Sequence, residues 1–105
     1  MAVGDIQWHA WRERVLYYAG IVVPIAEATH GSITSWGRSE SHNRLVGGHP
    51  DSRHRLWLAW DLEFSDEGSR HSAFRDLRAA EMHGYTWEPE GKWMLHIQDR
   101  PAPAP

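Results

Sequence analysis

A chain of 105 residues has room for one domain around one modest core. A net charge of −3 argues against a nucleic-acid binder, which would show a basic face. The absence of cysteine excludes disulfides and thiolate metal sites, so a metal would need nitrogen and oxygen ligands, a donor set that suits zinc among others.

The first predicted element is a helix over residues 7–19, in which Trp8, Trp11, Val15 and Tyr18 share one face. Gly20 reads as its break, and Pro24 leaves the apolar run Ile21–Ala26 open between a helix start and an extended piece. The β-branched stretch Ser32–Trp36 predicts a short strand, with Gly37 and Arg38 as a turn. Ser39 is a suitable N-cap for a short helix over residues 40–46, which ends at Gly47 and Gly48. Alternation predicts a strand over residues 56–64, with Leu58, Trp60, Leu62 and Phe64 on a core face and Trp57, Ala59, Asp61 and Glu63 on the other. A helix over residues 69–83 follows, with Phe74, Leu77 and Ala80 inward and Gly84 just past its end. Residues 85–87 and 92–98 read as a hairpin around Glu88-Pro89-Glu90-Gly91. The proline-rich residues 100–105 read as a tail, which leaves residues 1–99 as one domain.

The segment from Ser39 to Asp61 organises the chain. It holds His54 and Asp61 at the two ends of a stiff stretch, and His96 lies downstream as a third possible ligand. Two imidazoles and one carboxylate, with a fourth position open, would suit a catalytic zinc ion. The histidine and aspartate spacing alone is unspecific, and three unrelated polar residues would show it equally. His30, His49 and His71 read as surface histidines, and His9 and His83 as half-buried helical ones. His42 and Asn43 read as structural residues of the loop that presents His54.

The surrounding residues narrow the reading. Ser52-x-His54-x-x-Trp57-x-Ala59-x-Asp61 resembles the S-x-H-x-x-G-x-A-x-D signature of the M15 peptidases, the D-alanyl-D-alanine carboxypeptidase family. Ile33-Thr34-Ser35-x-Gly37-Arg38-Ser39, Ser39-x-x-His42-Asn43-x-x-Val46-Gly47-Gly48 and Leu95-His96-Ile97-x-Asp99-Arg100 are similar to the phage and bacterial branch of that family. The resemblance implies an α+β fold, a small antiparallel sheet with flanking helices of the Hedgehog and DD-peptidase type. It implies a zinc ion on His54, Asp61 and His96, with Arg38 and Ser52 binding the substrate carboxylate. It further implies a peptidoglycan hydrolase cutting stem-peptide bonds that involve alanine, as a carboxypeptidase or an endopeptidase of the phage lysin type.

Two departures stand out. Trp57 occupies the family's glycine position, and strand alternation would place its indole on the Asp61 face. Trp93 and Gln98 occupy positions where family members carry an acid. Glu90 is therefore the sequence's choice of general base, with Glu88 and Asp99 as alternatives. The rival readings are a catalytically impaired cell-wall-binding or phage structural module, and a structural zinc domain closed by His42 or His49. No apolar run approaches the ~20 residues of a membrane span. Residues 1–5 lack the basic and apolar segments of a signal peptide. The expectation is a monomer without membrane insertion. It would be phage-encoded, cytoplasmic or virion-associated, and would act on the cell wall.

Overall fold

The computed structural model describes residues 5–48 and 52–101. The expected surface position of His49 and the tail residues 102–105 lie outside them. Three helices and four strands follow one another as α1 (Asp5–Ala28), β1 (Ser32–Ser35), α2 (Glu40–Leu45), β2 (Ala59–Phe64), α3 (Glu67–Ala79), β3 (His83–Trp87) and β4 (Trp93–Gln98). Short 3-10 turns at Arg53–Leu56 and Pro89–Gly91 precede β2 and β4. The strands form one antiparallel sheet in the order β1-β2-β4-β3. The α+β class with a small antiparallel sheet is thus the observed one. Among the described residues no helix is long and apolar enough to cross a membrane.

Helix α1 corrects the predicted break at Gly20. It runs through Gly20 and Pro24 to Ala28. An interior proline costs roughly 3 kcal/mol and a glycine about 1 kcal/mol. The apolar face nevertheless continues without a phase change from Trp11, Val15 and Tyr18 to Val22 and Ala26. Val22 and Ala26 are buried in the core, with Tyr18, Ile21 and Ile25 packed against it. Burial of about 1.5–3 kcal/mol per large apolar side chain outweighs the local cost.

The core lies between α1, α3 and the inner face of the sheet. Trp60, Leu62 and Phe64 of β2 and Leu95 and Ile97 of β4 meet Ala73 and Leu77 of α3 there, and Trp36 stacks on Trp60 at 5.6 Å between ring centroids. Helix α3 starts from Asp66, whose carboxylate accepts from Ser69 N–H at 2.7 Å. It ends at Ala80 rather than at Gly84, because Glu81 turns the chain with φ 65°. His83 and Gly84 therefore begin β3. Gly84 is required there, since a Cβ at this position would overlap the His96 carbonyl oxygen across the strand pair.

The chain before β2 also differs from the uninterrupted strand that alternation suggests. Residues 53–56 form a 3-10 turn capped by Ser52, and Trp57 leaves it in the left-handed region at φ 60° and ψ 27°. The strand begins only at Ala59. Trp57 is outside the alternating segment, so alternation does not decide where its indole lies.

The opposite face of the sheet is a grid set by strand register. Asp61 pairs with His96, and His96 pairs with Tyr85, which makes one row across β2, β4 and β3. Ala59, Gln98 and His83 make the row on one side, and Glu63, Met94 and Trp87 the row on the other.

Candidate metal centre

Three elements converge on one point. Strand β2 brings Asp61, β4 brings His96 directly across from it, and the 3-10 turn lays His54 over both. One ligand atom from each of the three lies within 4.8 Å of the others. His54 Nε2 is 3.3 Å from Asp61 Oδ2, and His96 Nδ1 is 2.9 Å from Asp61 Oδ1. Ligands of a tetrahedral zinc ion, each about 2.0–2.1 Å from it, stand about 3.4 Å apart, so the His54–Asp61 spacing already matches.

His54 is positioned by backbone groups that fix its tautomer. Ser52 Oγ accepts from His54 N–H at 3.2 Å and so holds the first residues of the turn. The His54 carbonyl accepts from Arg38 N–H at 2.9 Å and from Trp57 N–H at 3.1 Å. His54 Nδ1 donates to the Trp36 carbonyl at 2.7 Å. That leaves a lone pair on Nε2, a buried atom with no hydrogen-bond partner. A metal-binding imidazole is oriented in this way, by a hydrogen bond from its other nitrogen. Trp60 Nε1 is also buried without a partner. It is a donor on a core tryptophan, whereas His54 Nε2 is an acceptor turned toward a carboxylate.

His96 is fixed from the other side. Gln98 Nε2 donates to the Arg100 carbonyl at 2.7 Å, which turns Gln98 Oε1 toward His96 Nε2, also at 2.7 Å. In the tautomer that donates from Nε2 to Gln98, the lone pair of Nδ1 faces the Asp61 oxygen. In that tautomer a bound cation would satisfy both facing atoms. Burial raises the Asp61 pKa, but the adjoining imidazoles of His54 and His96 outweigh it and hold the carboxyl well below the usual range. The donor set and the orphaned Nε2 of His54 fit a divalent metal with nitrogen and oxygen preferences.

Arg38 lies beside this cluster. Its guanidinium is 3.7 Å from Asp61 Oδ2 and donates to Asn43 Oδ1 at 3.2 Å. Asn43 is buried, as its structural reading requires. Ser52 uses its hydroxyl as a cap, as described above. Tyr85 stacks on His96 with ring centroids 4.9 Å apart. Burial, with the Asp61 charge adding to it and Arg38 opposing, raises its phenol pKa, so it remains a donor.

The three acids considered as general base are not joined to the cluster. Glu90 sits in the exposed turn at the hairpin tip with φ 53°, beyond Trp93, itself about 10 Å of strand away from His96. Glu88 is bound by Arg70 at 2.7 Å. Asp99 is buried and accepts a two-point pair from Arg53, at 3.0 and 2.7 Å, and a bond from Arg14 at 3.3 Å. Its neighbour in sequence, Gln98, faces the site because alternation turns Asp99 away.

Sequence reasoning missed three contributors. Trp36 acts through its carbonyl, which no side-chain motif reveals. Tyr85 depends on the β3–β4 register. Gln98 was legible in principle, since a residue two positions from a strand ligand shares its face.

Trp57 is explained by its backbone. A left-handed residue is ordinarily glycine, which is what the signature has at this position. Here the indole packs edge-on against Trp36 at 5.2 Å, and the Trp57 carbonyl accepts from Trp36 Nε1 at 3.0 Å. Gly37 lies beneath the ring, and a Cβ there would overlap it.

The sequence model of one protein family, described as Peptidase M15, matches residues 27–98, well over half of the chain. No curated protein and no solved structure matches it.

Proposed function

Because the chain belongs to the peptidase M15 family, we propose that it is a zinc-dependent peptidase that hydrolyses stem-peptide bonds of peptidoglycan, as a carboxypeptidase or an endopeptidase of the phage lysin type. The observation that carries this reading is the convergence of His54, Asp61 and His96, with His54 Nε2 and His96 Nδ1 both turned toward the carboxylate. A zinc ion on these residues would supply Lewis acidity toward the scissile carbonyl and a bound water acidified to near neutrality.

The chain's own residues supply the remainder. Arg38 is available to receive a substrate carboxylate in the two-point geometry a guanidinium favours, with its position fixed by Asn43. Ser52 serves this end by setting the turn that carries His54. A group must also take the proton of the attacking water and pass it to the leaving amine. The register supports Glu63 in that role rather than Glu90. It is the one other acid on the Asp61 face of β2, it is half-buried, and its side chain makes no ion pair or hydrogen bond among the described residues. The protein acts as a monomer on the cell wall, which it reaches by release from a phage-infected cytoplasm or as part of a virion.

A second reading, a catalytically impaired wall-binding or phage structural module, draws on Gln98 and on the distance of Glu90 from the cluster. One experiment separates the two. Zinc-loaded protein is incubated with purified peptidoglycan and the soluble products are read by mass spectrometry, with His96→Ala as control and Glu63→Gln alongside. Released peptides or free alanine, absent with His96→Ala, are expected, with roughly 10²–10⁴-fold less from Glu63→Gln. No release from protein that holds zinc would establish the binding module.

A further inference from the structure

Beside His96 the sheet carries a cleft of about 230 Å³ that adjoins the candidate metal centre. It is lined by Arg78, His83, Tyr85, His96, Gln98 and Pro101, together with the Gly84 backbone. Strand register builds its floor and wall. His83 pairs with Gln98 and Tyr85 pairs with His96, so the four side chains form two adjacent cross-strand pairs on the face that carries the metal ligands. Arg78 joins them from the last turn of α3.

The chemistry of this lining is one-sided. Arg78 is cationic at any physiological pH, His83 offers ring nitrogens and Tyr85 a phenol, and no acid lines the cleft. The Arg78 guanidinium rests over the Phe74 ring at 5.7 Å. Among the described residues it has no ion pair, unlike Arg14, Arg38, Arg53 and Arg70, each of which faces a carboxylate. An arginine stacked on an aromatic ring and left without an anion keeps its donors free for an incoming group.

We infer that this cleft is a second anion subsite, which takes a carboxylate of the bound peptide on the His96 side of the metal, opposite Arg38. The inference rests on the peptidase reading for the peptide's identity, but not for the anion preference. Arg78 is the charged anchor, and Tyr85 and His83 complete the hydrogen bonding. Arg38 beside Asp61 and Arg78 beside His96 then hold two acidic groups of one peptide on either side of the reacting bond. Substrates carrying an acidic side chain near that bond are selected over neutral ones.

The test is equilibrium binding by calorimetry to the full, zinc-loaded chain. The probes are alanyl-glutamate, alanyl-glutamine and the C-terminal amide of each, so that side-chain and terminal carboxylates are read separately. At least one carboxylate is expected to tighten binding about tenfold. Arg78→Ala should abolish that gain, and Arg75→Ala, an exposed change on the same helix, should keep it. A gain from the side chain makes the cleft a side-chain subsite, and a gain from the terminus makes it a terminal-carboxylate subsite. The inference is overturned if no probe binds at millimolar concentration, or if all four bind equally. It is also overturned if Arg78→Ala weakens acidic and neutral probes alike, or if the gain survives Arg78→Ala and disappears with Arg38→Ala. Turnover does not enter this measurement. Carboxylate-selective binding without peptidoglycan release removes the peptidase and keeps the cleft, and release without selectivity does the reverse.

Discussion

His96 illustrates how far the behaviour of a candidate ligand is set by its neighbours. Its ring is held between Asp61 at one nitrogen and Gln98 at the other, and Gln98 is oriented in turn by the Arg100 carbonyl. A glutamine at this position is therefore compatible with metal binding by His96. Its Oε1 favours the tautomer with the proton on Nε2 and the lone pair on Nδ1. An amide adds less negative charge than an acid would, which leaves the ligand less basic. Gln98→Ala should weaken zinc affinity by about 10–100-fold, measured by competition with a chromogenic chelator. Gln98→Glu should retain affinity or raise it. Equal affinity for the parent and Gln98→Ala would reduce Gln98 to a packing residue.

Between elements, the decisive junction is the one from the 3-10 turn into β2. It must deliver His54 over Asp61 and then enter the sheet, and the left-handed backbone at Trp57 makes that corner. A non-glycine residue there costs of order 1 kcal/mol or more, offset by the contact with Trp36 and by the hydrogen bond to the Trp57 carbonyl. Gly37 and Trp57 are therefore one unit. Gly37→Ala should destabilise by about 1–3 kcal/mol in the parent, because the indole must move, and by much less in Trp57→Gly. Urea denaturation of the four variants reads this coupling directly, and additive effects would show that ring and glycine are independent. The same junction is tied to the end of β4 by the buried Arg53–Asp99 pair. One ion pair thus links the turn that carries His54 to the strand that carries His96.

For the molecule as a whole, the core and the metal centre lie on opposite faces of one sheet. Trp60, Leu62, Leu95 and Ile97 meet the helices without help from the ligands. Metal removal by a chelator should therefore leave the far-ultraviolet circular dichroism spectrum folded, and zinc at about 100 times its Kd should add about 2.7 kcal/mol of stability. Loss of the folded spectrum on chelation would instead mark the zinc as structural, the rival that a closed site on His42 or His49 represented. The α+β class, the hairpin, the core face of β2 and the family were legible from the chain, because alternation, turn residues and a dense local signature are all short-range patterns. The continuation of α1 through Gly20 and Pro24 was legible only as an unbroken apolar phase, whose energy comes from a sheet more than thirty residues away. Only the folded structure shows that Glu90 stands apart while the Glu63 carboxylate shares the Asp61 face without a partner among the described residues, that Asp99 pairs with Arg53, and that Gln98, Tyr85 and the Trp36 carbonyl contact the candidate ligands. Those assignments depend on strand register and on which groups meet across the sheet, and contacts between residues distant in sequence leave no local pattern to read.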